Sequence, residues 1–139
     1  MDKDAAFAAC WMMTLPALFL SAFIPAFCEE AIRSSYLFYL GDRGSRRTVV
    51  LSICAVFIIG EMIYDASVFP SAQAEFGSAI AIPLFAVAII TGTLLHLALT
   101  LWSAERQWRG LNIWRVFASA LSIHFIFNLI AIAAIGVMI

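Results

Sequence analysis

Four apolar segments dominate this 139-residue sequence and constrain its fold more than any other feature. A helix needs about 20 apolar residues to cross a bilayer, because the hydrocarbon core is about 30 Å thick. The segments lie at residues 5–40, 48–69, 79–102 and 114–139. Only 12% of the residues are charged, whereas a soluble domain carries about 25%. The sequence therefore predicts a single all-α domain over residues 1–139, with four transmembrane helices in an antiparallel bundle.

The limits of the segments are set by turn and proline signals. The first segment ends before the turn signal at residues 41–44 and is longer than one straight span. We therefore expect Pro16 or Pro25 to kink it, or its first turns to lie in the membrane interface. The second segment is predicted to end before Pro70, followed by a loop around residues 73–77.

The basic residues predict the orientation of the chain in the membrane. Seven of the eight Lys and Arg residues lie in or near two segments, residues 41–47 and 103–113. The positive-inside rule makes those two segments cytoplasmic and places both termini outside. Short loops with this charge pattern fit a bacterial inner membrane, with membrane lipid as the surrounding partner. The net charge of −1 gives no indication of nucleic-acid binding.

Polar and ionisable side chains inside the predicted spans are the candidate functional site. A charged group at the bilayer centre costs at least about 2.5–3.5 kcal/mol, so each one requires an explanation. Every span contributes to the set, which comprises Glu29, Glu30, Arg33, Glu61, Asp65, His96, His124 and Asn128. Counting the helical rise from the cytoplasmic loops places the group in the cytoplasmic half of the bundle. Carboxylates and imidazoles together can bind a divalent metal such as zinc or activate a water molecule.

A structural interpretation of the same residues stays open. Glu–Arg and Glu–His pairs in a membrane can simply join helices, because polar side chains hydrogen-bond across packed helices. Five hydroxyl residues are interpreted as packing or backbone-bonding side chains: Thr91, Thr93, Thr100, Ser119 and Ser122.

The order of these polar residues resembles the superfamily of PrsW-type and CAAX-processing intramembrane proteases. The PrsW pattern has a Glu-Glu-x-x-Lys motif, a Phe-x-x-x-Glu segment, a lone His and a His-x-x-x-Asn motif. This chain matches them at Glu29–Arg33, with Arg in place of Lys, and at Phe57–Glu61, His96 and His124–Asn128. The resemblance covers about residues 25–130. It departs at Met62, where PrsW proteins usually have Asn, and at Gly92, where the CAAX-type proteases have Phe.

The resemblance implies an intramembrane peptidase that cleaves a membrane protein or peptide near the cytoplasmic leaflet. Glu29 or Glu30 would polarise the attacking water, and Asn128 would donate a hydrogen bond to the developing oxyanion. His96, His124 and Glu61 would be metal ligands, zinc being the expected ion, or would position that water. All six residues are therefore candidate catalytic residues.

Two other functions are weighed against the peptidase. The superfamily includes the non-proteolytic scaffold subunit of gamma-secretase, so a four-helix chain of this kind could be an accessory subunit of a larger membrane complex. His96 and His124 lie on neighbouring predicted helices and could also be axial ligands of a haem or another pigment. That third function leaves the acidic residues unexplained.

Overall fold

The structure is a computed structural model that describes the backbone of residues 3–40 and 45–138 and the side chains of residues 14–40 and 45–134. Over these residues it contains four α-helices and no strand: α1 (Lys3–Leu40), α2 (Arg46–Phe76), α3 (Ser78–Trp108) and α4 (Ile113–Met138). Each helix is long and apolar enough to cross a membrane. The predicted all-α fold with four transmembrane helices is therefore confirmed, and the chain is an integral membrane protein.

Helix α2 continues beyond the predicted end of the second span. It passes through Pro70 and ends at Phe76. The prediction of a loop around residues 73–77 is therefore wrong, because only Gly77 lies outside a helix. Pro70 has no N–H to donate to the carbonyl of Ala66, but transmembrane helices tolerate such an interruption. The 31 residues of α2 correspond to about 46 Å of helix, which exceeds the thickness of the hydrocarbon core. Prolines likewise lie inside α1, at Pro16 and Pro25.

Gly77 alone connects α2 to α3. Its φ of 74° and ψ of 160° lie in a region that residues with a Cβ atom rarely adopt. The N–H of Gly77 donates to the carbonyl of Gln73 at 2.9 Å, which closes the last turn of α2. Across the connection, Nε2 of Gln73 donates to Oγ of Ser78 at 2.8 Å. The chain therefore reverses direction at one residue whose backbone conformation requires glycine.

Replacing Gly77 with alanine is expected to lower the free energy of unfolding by about 1 kcal/mol, because alanine disfavours a positive φ. An added Cβ would meet no atom within 4 Å, so the cost comes from the backbone and not from a clash. Gly60 is the matched control, since it lies inside α2 and its added Cβ would also meet nothing. Gly60→Ala should leave stability unchanged or raise it. Unfolding in mixed detergent micelles measures both changes, and equal effects would contradict the argument.

The chain divides into two compact units. The α1/α4 unit contains α1 up to Ile32 together with α4, and the α2/α3 unit contains the rest of α1 together with α2 and α3. In the α1/α4 unit, aromatic rings of α1 pack edge-on against rings of α4. The ring centroids of Phe23 and Phe125 are 5.7 Å apart, and those of Phe27 and Phe117 are 5.8 Å apart. These contacts hold the two helices side by side where the polar residues of this unit lie.

The α2/α3 unit has its own apolar cluster. Its buried members are Leu37, Val49, Val50, Ile53, Cys54, Phe57 and Ala104. Helix α2 begins after the N-cap Ser45, whose hydroxyl accepts a hydrogen bond from the N–H of Thr48 at 3.2 Å. The guanidinium of Arg46 lies over the ring of Trp108, 5.0 Å from its centroid. The start of α2 is therefore fixed against the end of α3, which sets how the polar residues of these helices face each other.

Candidate functional site

The structure distributes the predicted site residues between the two units. In the α1/α4 unit, Glu29 and Glu30 of α1 contact His124 of α4. We call these residues and Asn128 the His124 group. In the α2/α3 unit, Glu61 of α2 and Arg33 of α1 contact His96 of α3. We call these three residues the His96 group. Each histidine thus has its own charged partners, which the sequence alone did not assign.

Glu30 fixes the orientation of the His124 ring. Its Oε1 lies 2.9 Å from Nδ1 of His124, and their side chains are 0% and 3% exposed. An ionised carboxylate can only accept a hydrogen bond, so with Glu30 ionised Nδ1 of His124 carries the proton and donates a hydrogen bond to Oε1. Carboxylates commonly hold a functional histidine in this way, through the ring nitrogen that faces away from the reacting atoms. Glu30 is therefore a positioning residue for His124.

Glu29 faces the other nitrogen of the same ring. Its Oε2 lies 3.7 Å from Nε2 of His124, which is longer than a direct hydrogen bond. The Glu29 side chain is 23% exposed, in contrast to the fully buried Glu30. Because a carboxylate oxygen and an unprotonated Nε2 both accept hydrogen bonds, a proton or a bridging water molecule between them would satisfy both. Of the two glutamates, Glu29 is the one placed to exchange a proton with water.

Asn128 lies one turn after His124 and contacts the backbone of α1. Its Nδ2 donates to the carbonyl oxygen of Ala22 at 3.2 Å. Pro25, three residues further along α1, lacks an N–H, so the regular helical hydrogen bonds are interrupted in this turn. Asn128 thus joins α4 to α1 beside His124. The side-chain amide has a second N–H, which is the one that the oxyanion role would require.

Arg33 determines the tautomer of His96. Its Nη2 lies 2.7 Å from Nδ1 of His96, and both side chains are buried, at 0% and 1% exposure. A guanidinium can only donate hydrogen bonds, so Nδ1 must accept and the ring proton of the neutral imidazole must lie on Nε2. Nε2 is 3.5 Å from Oε1 of Glu61. His96 therefore presents an N–H toward the carboxylate of Glu61.

Phe57 and Gly92 shape the surroundings of the His96 group. The Phe57 ring stacks on the His96 imidazole, with centroids 5.2 Å apart and planes 9° apart. The guanidinium of Arg33 also lies over this ring, 4.7 Å from its centroid. A Cβ at Gly92 would lie 3.2 Å from Oε2 of Glu61, so glycine gives the carboxylate room. A side chain at this position, such as the Phe of the CAAX-type proteases, would require the Glu61 carboxylate to move.

The tautomer of His96 leads to a testable prediction. We expect the ¹⁵N NMR spectrum of the protein to show Nδ1 of His96 unprotonated and Nε2 protonated. Replacing Arg33 with methionine removes the donor, so the ring should then populate both neutral tautomers. His124, which belongs to the other group, is the internal control and should keep its spectrum in this variant. A protonated Nδ1 at His96 in the unchanged protein would contradict the assignment.

Sequence reasoning missed a row of buried polar residues on α3. Thr100 and Ser103 are 0% and 1% exposed; the burial of Thr100 agrees with its prediction as a packing residue, whereas Ser103 was not singled out. Thr91 and Ser122 do bond the backbone as predicted, to the carbonyls of Val87 and Ala118 at 2.8 Å. A signal was present in the sequence, because His96, Thr100 and Ser103 follow one helix face.

No protein-family model, curated protein or solved structure matches this chain. The function of this chain is therefore inferred from the geometry of the His124 and His96 groups and from the motif resemblance of its polar residues.

Proposed function

We propose that this chain is an intramembrane peptidase of the PrsW/CAAX-protease type. One observation carries the proposal: the buried His124 has a carboxylate at each of its ring nitrogens, one on the fully buried Glu30 and one on the partly exposed Glu29. Glu30 orients the ring, while Glu29 and Nε2 of His124 form a pair that can hold one proton or one water molecule. Acid–base catalysis of hydrolysis needs such a pair.

The proposed reaction uses the Glu29–His124 pair in both of its steps. Glu29 accepts a proton from a water molecule, whose oxygen forms a bond with the carbonyl carbon of the peptide. The second N–H of Asn128 donates to the negative oxygen of the tetrahedral intermediate. When the carbon–nitrogen bond breaks, the proton passes from the pair to the leaving amine. Glu61 and His96 are proposed as further catalytic residues, with His96 donating through Nε2.

The substrate class and location follow from the setting of these residues. A site inside an integral membrane protein is suited to a membrane-protein or peptide substrate. We place the cleavage near the cytoplasmic leaflet of a bacterial inner membrane, with both termini of the chain outside.

Reporter fusions test the orientation: a periplasm-active reporter should be active at either terminus and inactive in residues 109–112. The opposite pattern would invert the topology.

A zinc-dependent version of the peptidase is a distinct variant of the proposal. Nε2 of His124 and a carboxylate oxygen are ligand atoms that zinc accepts, and a catalytic zinc takes three protein ligands and a water. In this version His96, His124 and Glu61 would be the ligands, and the ion would lower the pKa of the water. Ligation through Nε2 of His96 would require the ring proton to move to Nδ1, and so the contact of Nδ1 with Arg33 to break. About one zinc per purified chain, lost in His124→Ala and in His96→Ala, would establish it. If the active protein contained no zinc, the mechanism in which Glu29 activates the water without a metal would remain.

Proteolysis itself is tested by comparing cleaved peptides in two membranes. One membrane contains the unchanged protein and the other an equal amount of Glu29→Gln. We expect new N-termini derived from membrane-spanning segments only with the unchanged protein. Identical sets of N-termini from both membranes, with at least one known substrate of PrsW-type proteases present, would reject the proposal.

A non-catalytic accessory subunit of a larger membrane complex is the second candidate. The observation that favours it is the Glu30–His124 hydrogen bond, which joins α1 to α4 whether or not a reaction takes place. Copurification of a stoichiometric partner, together with full function of Glu29→Gln in cells, would support this candidate over the peptidase. A haem or pigment site is not proposed, because axial ligation by His96 and His124 leaves the carboxylates that contact both histidines without a role.

A further inference from the structure

Helix α3 has a continuous polar face that the proposed function does not explain. It consists of His96, Thr100, Ser103 and Gln107, which recur every three or four residues. At about 100° per residue these four positions fall within about 60° of arc around the helix. We call them the α3 polar face. Leu97 and Leu101 point elsewhere on the same helix, with 37% and 50% of their surface exposed.

Three side-chain atoms of this face, on the residues that follow His96, are buried without hydrogen-bond partners. The side-chain atoms Oγ1 of Thr100, Oγ of Ser103 and Nε2 of Gln107 are inaccessible, and none has a hydrogen-bond partner among the described side chains and backbone. Native proteins contain few such atoms, and each of them costs free energy unless a water molecule or an ion satisfies it. Three of them on successive turns of one helix require a common explanation.

The usual solution for a hydroxyl in a helix is not used here. Thr91, on the same helix, donates to the carbonyl of Val87 four residues earlier at 2.8 Å, and Ser122 of α4 does the same to Ala118. Thr100 and Ser103 also each have a backbone carbonyl four residues earlier in α3 that the hydroxyl could reach in the same way. Because the α3 polar face does not use these acceptors, its hydroxyls are oriented toward something else.

The spacing of the face fits water. Along the helix axis, His96 and Thr100 are about 6 Å apart, Thr100 and Ser103 about 4.5 Å, and Ser103 and Gln107 about 6 Å. A water molecule hydrogen-bonds two groups at a roughly tetrahedral angle and so holds them about 4.5 Å apart, and up to about 5.5 Å as the angle opens. The side chains extend from these axial positions, so one or two waters can bridge each interval with at least two polar partners, which a buried water needs.

We propose that the α3 polar face holds a file of water molecules that runs from the end of α3 to His96. The file begins at Gln107, beside the exposed, charged last turn of α3, where Arg109 pairs with Glu105 at 2.7 Å. It ends at a histidine whose Nε2 faces Glu61. Water and protons can thus reach the His96 group from an aqueous surface. This inference goes beyond the peptidase proposal and holds for an accessory subunit as well.

Cysteine accessibility tests the water file without any assay of proteolysis. In a background of Cys10→Ala, Cys28→Ala and Cys54→Ala, single variants Thr100→Cys and Ser103→Cys are reconstituted in lipid vesicles. The probe is Ag⁺, which reacts with thiolates in water and not with thiols in hydrocarbon. Leu97→Cys and Leu101→Cys are the matched controls on the other side of α3. We expect the thiols introduced at positions 100 and 103 to react with Ag⁺ at least about tenfold faster than those of the two controls. Equal rates would overturn the proposal.

Solid-state NMR tests the same proposal in the unchanged chain, so the outcome does not depend on the folding of a variant. Magnetisation is transferred from water protons to side chains in protein that is embedded in lipid. The signals of Thr100 and Ser103 should build up about as fast as that of the exposed Ser45. Build-up as slow as that of Leu97 and Leu101 would show that the face is dry and would overturn the water file.

Discussion

Glu29→Gln is expected to lower kcat/KM for peptide hydrolysis by about 10²- to 10⁴-fold, which is the contribution of a positioned acid–base group. Glutamine keeps the size of the side chain but cannot accept the proton of the attacking water. The Glu29 side chain is 23% exposed, so the free energy of unfolding should change by less than about 1 kcal/mol. Initial rates with a cleaved membrane peptide, measured beside detergent unfolding, give both quantities.

Glu75 provides the matched control for this prediction. It is an exposed glutamate in the last turn of α2 and belongs to neither polar group. Glu75→Gln should therefore leave both the rate and the stability unchanged. If Glu29→Gln retained the rate of the Glu75→Gln protein, Glu29 would not be the base, and the peptidase mechanism described here would be wrong.

The second large effect is expected at Glu30, and it concerns stability. Glu30→Ala removes the buried acceptor of the Nδ1–H of His124 and leaves that group unpaired. Leaving a buried donor without its acceptor typically costs about 1–3 kcal/mol, and more when the acceptor was charged. We expect a loss of this size in the free energy of unfolding, measured by detergent titration followed by circular dichroism.

Glu30→Gln is the conservative counterpart, because its Oε1 still accepts the hydrogen bond from His124. Its loss of stability should be well below that of Glu30→Ala. Glu29→Ala, which changes the neighbouring residue in the same way, should also cost much less than Glu30→Ala. Equal losses at the two positions would contradict the division of roles, in which Glu30 positions the ring and Glu29 reacts.

The helical fold could be predicted from the sequence because the bilayer imposes a length on every apolar segment. The same rule could not locate the end of α2, since Pro70 is tolerated inside the helix and Gly77 makes a longer loop unnecessary. Helix ends outside the hydrocarbon core are decided by local backbone conformation, which hydropathy does not report.

The candidate site was only partly predictable for a related reason. Spacing along one helix identifies residues that share a face, such as His124 and Asn128, but the partner on another helix depends on how each helix is rotated. The contact of Arg33 with His96 and the room that Gly92 leaves for Glu61 are consequences of such rotations. The burial of Thr100 likewise depends on which residues of other helices pack against it, and the sequence does not report that packing.

The one-residue connection at Gly77 makes the His96 group sensitive to chain length. Each residue of a helix turns the following side chains by about 100°, and a connection of one residue has no slack to absorb an addition. A residue inserted after Gly77 would either rotate α3, and so move His96 away from Glu61, or break the hairpin between α2 and α3. Sequences descended from this chain should therefore vary freely in the residues around Gly77 but preserve the number of residues between Glu61 and His96.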